Sequence, residues 1–300
     1  MTGRKADLVF THDQKKLKPD NSNRPSLAMR FKLILERTGT GRFLPINYQY
    51  ELSSAIYRIV DQADSDFAEF LHQQGYRANG KPFRLFTFSR LFFKGFKVLP
   101  ESGRIEHFGK EVAFEVSFLV DRIAEEFIKG LFQHQEIFLG DKISGTTYQV
   151  QRIEAVAKPL FLTTMRYRCL SPILAKRKRE SGGEDYLNPL DRGYSDLILE
   201  NLLSKSLALS QSLTTNDNCL SEDRPNLSLE VLGKVFKNGV TIKQLTPQQT
   251  KLIGYSYEFE LTAPVELQEI GYYAGFGHLG SQGFGCVEVK EYPVTTTNIN

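Results

Sequence analysis

Between Met29 and Leu170 the apolar residues change period from two to about 3.6 and back, twice, an order that few folds accept. Residues 30–37 set Phe31, Leu33 and Leu35 against Arg30, Lys32, Ile34 and Glu36, which is a strand pattern. Gly39, Gly41 and Pro45 then mark a loop. Residues 50–64 carry Leu52, Ala55, Ile56, Ile59, Val60 and Ala63 at helical spacing, and the helix continues through Phe67, Phe70 and Leu71. Strands are predicted over 83–89, 91–98 and 112–120, and Asp121 stands where a residue would cap a helix running to about Phe132. Residues 143–157 and 160–170 complete a strand-rich region. The order β-α-β-β-α-β, with extra strands, predicts a ferredoxin-like (RRM-like) domain over 29–170.

The second half repeats this logic without repeating the sequence. A helix over 190–208 precedes strands over 227–236 and 256–262. Pro264 suits the first turn of a short helix to about Tyr273, and 284–290 is a closing strand. The fold class expected is therefore α+β, with two tandem ferredoxin-like domains, the second over 171–294. Residues 1–28 are polar and aperiodic and are expected to be a disordered leader. Residues 176–184 and 210–225 are expected to be loops, and 295–300 a polar tail.

Composition excludes several classes. Hydrophobic residues make up 41% of the chain, enough for a core without disulfides. Cys169, Cys219 and Cys286 form no C-x-x-C pair, so a zinc ribbon or redox motif is not expected. No apolar run approaches the roughly 20 residues of a membrane helix, and no signal-peptide core follows Met1, so a cytoplasmic protein without membrane partner is expected. The net charge of +3 resides in residues 1–28, with six basic and three acidic side chains. The remaining chain holds 32 of each sign, so any nucleic-acid reading must rest on local clustering. Two stretches provide it. Residues 70–100 hold six cations, including Arg77, Lys81 and Arg84, and no acid. Residues 155–179 hold seven, including Arg166, Arg168, Lys176 and Arg177, again with no acid. Aromatics interleave both, as phosphate binding with base stacking requires, although core strands flanked by solvated cations would read the same way.

Near the C-terminus, GYYAGFGHLGSQGFG places Gly275, Gly277, Gly280, Gly283 and Gly285 within eleven residues. Glycine admits positive φ and close backbone approach, and successive amides can cradle phosphate. No G-K-[ST] ending and no following helix make this a P-loop or a dinucleotide fingerprint. The pattern, carried by Gly271, Gly275, Phe276, Gly277, Ser281, Gly283, Phe284 and Gly285, resembles the G-rich motif of the CRISPR repeat-processing endoribonucleases, the sixth Cas family of the RAMP superfamily. LPINYQYELSSAIYRIV, FAEFLHQQGY, FRLFTFSRL and SPILAKRK are similar to further segments of that family.

The resemblance implies an endoribonuclease that matures guide RNA from CRISPR repeat RNA. It implies metal-independent cleavage by 2′-OH attack, no cofactor, and 2′,3′-cyclic phosphate and 5′-OH ends. It leaves open effector-complex subunits as partners, a homodimer, and the alternative of a catalytically inactive RNA-binding subunit. His72 stands at the position of the family's catalytic histidine and Tyr57 at a tyrosine some members use. Arg84 stands where several members have lysine, so either Arg84 or Lys81 supplies the cation. The chemistry is compatible with these residue types: histidine exchanges protons near neutrality, and a cation can stabilise a phosphorane. His278 is a weaker candidate, His107 and His134 have no evident partners, and Asp61, Asp64 and Asp66 read as a polar helix end in preference to a metal site.

Overall fold

The computed structural model describes residues 28–213, 226–243 and 246–290. The leader with His12, the segment 214–225 with Cys219, and the tail lie outside the described residues. The first module is built on β1 (Met29–Thr38), α1 (Gln49–Ala63), β2 (Phe86–Phe88), β3 (Glu111–Phe118), α2 (Asp121–Gln133), β4 (Glu136–Gly140) and β5 (Gly145–Ala155). The sheet order is β4-β5-β1-β3-β2, antiparallel throughout. This is the ferredoxin-like arrangement with β4 added as a hairpin partner of β5. Leu52, Ile56, Ile59 and Val60 of α1 and Ile123, Phe127 and Leu131 of α2 pack on Leu33, Phe114, Val116 and Phe118 of the sheet, all at most 4% exposed. The helical and alternating periods of the sequence therefore meet in one core.

The second module repeats the order with β6 (Thr164–Cys169), α3 (Tyr194–Leu213), β7 (Ser228–Ile242), β8 (Thr250–Thr262), α4 (Val265–Ala274) and β9 (Val287–Val289). Its sheet runs β7-β8-β6-β9, so two ferredoxin-like folds stand in tandem. Residues 164–169, grouped by sequence order with the first module, are hydrogen-bonded into the second sheet between β8 and β9. They are its first strand, and local pattern cannot reveal which partner a strand chooses.

Other local expectations are corrected. Residues 83–89 and 91–98 do not form two continuous strands. Leu85, at φ 54, and Gly95, at φ 77, break them into Lys81–Phe83, Phe86–Phe88, Phe92–Phe93 and Phe96–Leu99. Val120, not Asp121, precedes the first residue of α2, and Asp121 instead accepts from Arg122 N in the first turn. Residues 176–184 are not an open loop, because Lys176–Lys178 pairs with Glu184–Tyr186 as a hairpin. Residues 210–213, expected in a loop, are the end of α3, and the rest of that expected loop lies outside the described residues.

The face of the first sheet opposite its helices is covered by the second module. Arg30 on β1 is 2% exposed; its guanidinium donates to Val287 O and Tyr272 O, both at 2.6 Å, and lies 3.6 Å from the Tyr272 ring centroid. Thr87 Oγ1 donates to Phe284 O at 2.8 Å. Both Nη groups of Arg30 and the Thr87 hydroxyl of one module are thus satisfied by carbonyls of the other, which fixes their relative placement. Among the described residues no helix is long and apolar enough to cross a membrane.

Candidate active site

Beyond α1, Asp64 accepts from Phe67 N at 2.9 Å, starting the short helix Ser65–Glu69, and pairs with Arg122 at 3.0 Å. Asp64 is thereby spent on a cap, and among the described residues no three His, Cys, Asp or Glu side chains cluster as ligands would. The helix then widens into a π turn, Phe70–Gln74, closed by Gly75 N donating to Phe70 O. Such turns recur at functional sites, and His72 lies exposed within this one. Asn79 and Gly80, at φ 49 and 72, form a two-residue turn that joins Tyr76–Ala78 to Lys81–Phe83. That hairpin returns the chain beside the π turn. Arg84 Nε donates to Leu71 O at 3.1 Å and Nη2 to His72 O at 2.5 Å, a cation on orphan carbonyls at a helix end.

Tyr57 projects from α1, its ring 5.3 Å from the His72 ring at 82°. The Ser281 and Arg84 side chains near Tyr57 act to lower its pKa, yet burial dominates and pushes the phenol pKa up. Tyr57 is therefore a donor at neutral pH. Ser281 is the tip of the glycine loop, and its carbonyl accepts from Ser53 Oγ at 2.6 Å. The loop and α1, more than two hundred residues apart, meet at this point.

The glycines serve mainly the loop's own fit. Gly275, Gly277, Gly283 and Gly285 all take positive φ and are buried, while Gly280 is half-buried. A Cβ at Gly283 would stand 2.7 Å from the Phe88 ring, and one at Gly285 would stand 2.1 Å from Phe276 O. Their absent side chains let the loop wedge between the modules, so an open phosphate nest is not what these glycines form. Gly277 and Gly280 do border a cavity, together with His278 and Ser281.

That cavity, of ≈ 1070 Å³, spans the junction and gathers most of the sequence candidates. His72, Tyr57, Lys81 and Arg84 line one wall, Lys176 and Arg177 another, and the loop the floor. Lys178 and Lys243 add positive charge, with Glu184 and Glu200 the acidic lining residues. Lys176 is paired with Glu184 at 2.6 Å. Such a preponderance of cations suits a polyanion. His278 donates its backbone N–H to Leu174 O, and burial followed by the charge of Lys205 pulls its imidazole down to about 4, so it is neutral at pH 7.

Arg166 and Arg168 are not among the residues lining this cavity. They lie on the exposed face of β6 and pair across the strands with Glu260 and Glu288. Lys158 and Arg179 likewise pair with Glu269 and Asp185. A stretch free of acids along the chain is thus neutralised by acids from neighbouring elements. Of the interleaved aromatics, Phe83, Phe86, Phe88, Phe161 and Tyr167 are buried in the core, whereas Phe92 and Phe96 are exposed. His107 has partners after all, Tyr148 Oη at 3.0 Å and Glu111 O at 3.2 Å. Sequence reasoning missed Ser53, Lys205 and Lys243 at the cavity, while Lys178 belongs to the cation cluster of 155–179. Only the Asn79-Gly80 turn signal, which aims Lys81 back at the helix end, could have sharpened that side from sequence.

Comparison with known proteins agrees with this architecture. The family model described as CRISPR-associated protein Cas6, N-terminal, matches residues 43–154, and that described as CRISPR associated protein Cas6, C-terminal, matches 156–289. CRISPR-associated endoribonuclease Cas6 of Pyrococcus furiosus is 26% identical over 267 residues, covering 87% of this chain and 90% of that one. CRISPR-associated endoribonuclease Cas6 1 of Methanocaldococcus jannaschii is 26% identical over 261 residues, covering 87% and 92%. A solved structure titled CRISPR associated protein Cas6 superposes with a TM-score of 0.66 at 25% identity, covering 88% of this chain and all of that one. A Cas6-related protein from Pyrococcus furiosus superposes at 0.72 with 21% identity, covering 88% and 99%, a likeness of fold. With family matches spanning both modules on either side of residue 155, this chain belongs to the Cas6 family of CRISPR-associated proteins.

Proposed function

We propose that this chain is a CRISPR repeat RNA-processing endoribonuclease that cleaves by attack of a ribose 2′-OH on the adjacent phosphorus, without a metal. The observation that carries the reading is the convergence of His72, Tyr57 and Arg84 on one wall of a cation-lined cavity. The relatives' names as endoribonucleases support it. In the reaction the 2′-O–P bond forms and the P–O5′ bond breaks, leaving a 2′,3′-cyclic phosphate, while the proton from the 2′-OH is balanced by one delivered to the 5′-oxygen. His72 is the proton-transferring side chain of this wall, histidine being the residue most often used as general acid or base. Tyr57, kept protonated by burial, donates a hydrogen bond to the phosphorane. Arg84, already anchored on the His72 turn, and Lys81 supply positive charge to it.

The test is cleavage of repeat RNA in EDTA, with a second RNA carrying a single 2′-deoxy at the cut site. The reading expects cleavage in EDTA, none of the deoxy RNA, retained binding of both, and a loss of about 10²- to 10⁴-fold for His72→Ala. Product that forms only with added divalent metal refutes it. A second reading, an RNA-binding subunit without catalysis, is favoured by equal similarity, 26% over 271 residues, to a putative endoribonuclease-like protein Cas6nc of Pyrococcus horikoshii. Tight binding of repeat RNA with no fragments would select that reading.

A further inference from the structure

On the floor of the cavity lies a charged group that no step above uses. Lys205, on α3, is 4% exposed, and its Nζ donates to Gly275 O at 2.5 Å, Gly277 O at 2.9 Å and Ala274 O at 3.4 Å. Among the described residues no carboxylate pairs with it, and burial pulls its pKa down to about 7; the ammonium form is the one able to donate to all three carbonyls. A buried ammonium without a counter-ion is costly, and it is tolerated where carbonyl dipoles surround it. Here those dipoles are the last carbonyl of α4 and the first two turns of the glycine loop, groups that a helix end leaves orphaned.

The loop is held at three places. At its neck, Phe276 N donates to Gly285 O at 2.9 Å, Gly285 N to Pro172 O and His278 N to Leu174 O, both at 2.8 Å. At its tip, Ser281 meets Ser53 and Tyr57. Lys205 fills the space between, drawing three carbonyls inward around one point charge. Without it those carbonyls would face one another with no donor, and the path from neck to tip would be free to open. The charge of Lys205 also bears on His278, the next residue after Gly277, which stays neutral beside it.

We propose that the Lys205 ammonium is a positioning group for the reaction, holding the glycine loop in the conformation that presents Ser281 to Tyr57. It acts through the loop and does not itself touch the RNA. The consequence for catalysis rests on the function proposed above, whereas the consequence for the loop does not. Lys205→Met keeps most of the side chain's length and removes the charge. Hydrogen exchange read by mass spectrometry is expected to rise at least tenfold in peptides covering 271–285 and to stay unchanged in β1. With repeat RNA, the single-turnover cleavage rate is expected to fall at least tenfold, while the Kd for the 2′-deoxy RNA changes less than threefold. A merely structural lysine would move rate, binding and β1 exchange together. Ser281→Ala removes the far end of the link, and the double variant is expected to be no slower than the slower single variant. Unchanged loop exchange in Lys205→Met, or rate losses that multiply in the double variant, overturns the proposal. If Lys205→Met does not fold, Lys205→Gln is read by the same measures, and failure of both to fold also overturns it. A wild-type protein that cuts no repeat RNA would refute the function while leaving the exchange result to decide the role of Lys205.

Discussion

Replacing Arg30 by methionine tests how the two modules are held, and its magnitude follows from the contacts. The guanidinium makes two hydrogen bonds of 2.6 Å to buried carbonyls of the other module, and Glu115 lies 3.5 Å away. Hydrogen bonds to a charged group contribute about 1.5–3 kcal/mol each. The placement 3.6 Å from the Tyr272 centroid adds about 1–2 kcal/mol for a desolvated cation over a ring. Against this stands the recovered cost of burying the guanidinium, several kcal/mol for an ion taken from water. The net expected loss for Arg30→Met is about 3–5 kcal/mol, the range for breaking a buried charge pair. At about 2 °C per kcal/mol for a chain of this size, the midpoint should fall by about 6–10 °C. Thermal unfolding followed by circular dichroism, with urea titration as a check, measures it. Because the lost contacts lie between modules, unfolding should also split into two steps. A single transition within about 1 kcal/mol of wild type would show that Arg30 is dispensable and that apolar contact alone joins the modules.

Further outcomes are expected at the site. Tyr57→Phe removes the phenol between Ser281 and Arg84 and should slow single-turnover cleavage by about 10- to 100-fold with RNA affinity unchanged. Lys81→Ala with Arg177→Ala should weaken RNA binding and flatten its salt dependence, whereas Arg166→Ala with Arg168→Ala, which are committed to Glu260 and Glu288, should change the Kd less than twofold by filter binding. Gly283→Ala should cost at least about 2 kcal/mol in urea unfolding, since its φ of +83 disfavours a side chain and the Phe88 ring blocks one. His278 has a folded-state pKa of about 4, below the usual 6.5 of the unfolded chain, so the unfolded state binds the extra proton between these values. Stability is therefore full above pH 6.5 and declines as pH falls toward 4, by about 3 kcal/mol in all. His278→Gln should remove that acid-side decline in urea midpoints measured from pH 7 to 4.5.

The sequence by itself determined the order of elements, because apolar period is a property of neighbours three or fewer turns apart. Leu52, Ile56 and Ile59 could only be one face of a helix, and Phe31, Leu33 and Leu35 only one face of a strand. It also determined that the glycine motif needs backbone freedom, since five glycines in eleven residues have little other use, and it marked His72 and Tyr57 through a resemblance. Tertiary structure decided what each was near. It moved residues 164–169 into the second sheet, because strand pairing is a long-range choice. It set Arg166 and Arg168 against glutamates from β8 and β9, since charge balance is struck across strands and not along the chain. It turned the glycines from a presumed phosphate cradle into the close-packed wedge whose tip reaches Tyr57. And it gave Lys205, one lysine on α3, three carbonyls to hold, a partnership that exists only once the second module has closed around the loop.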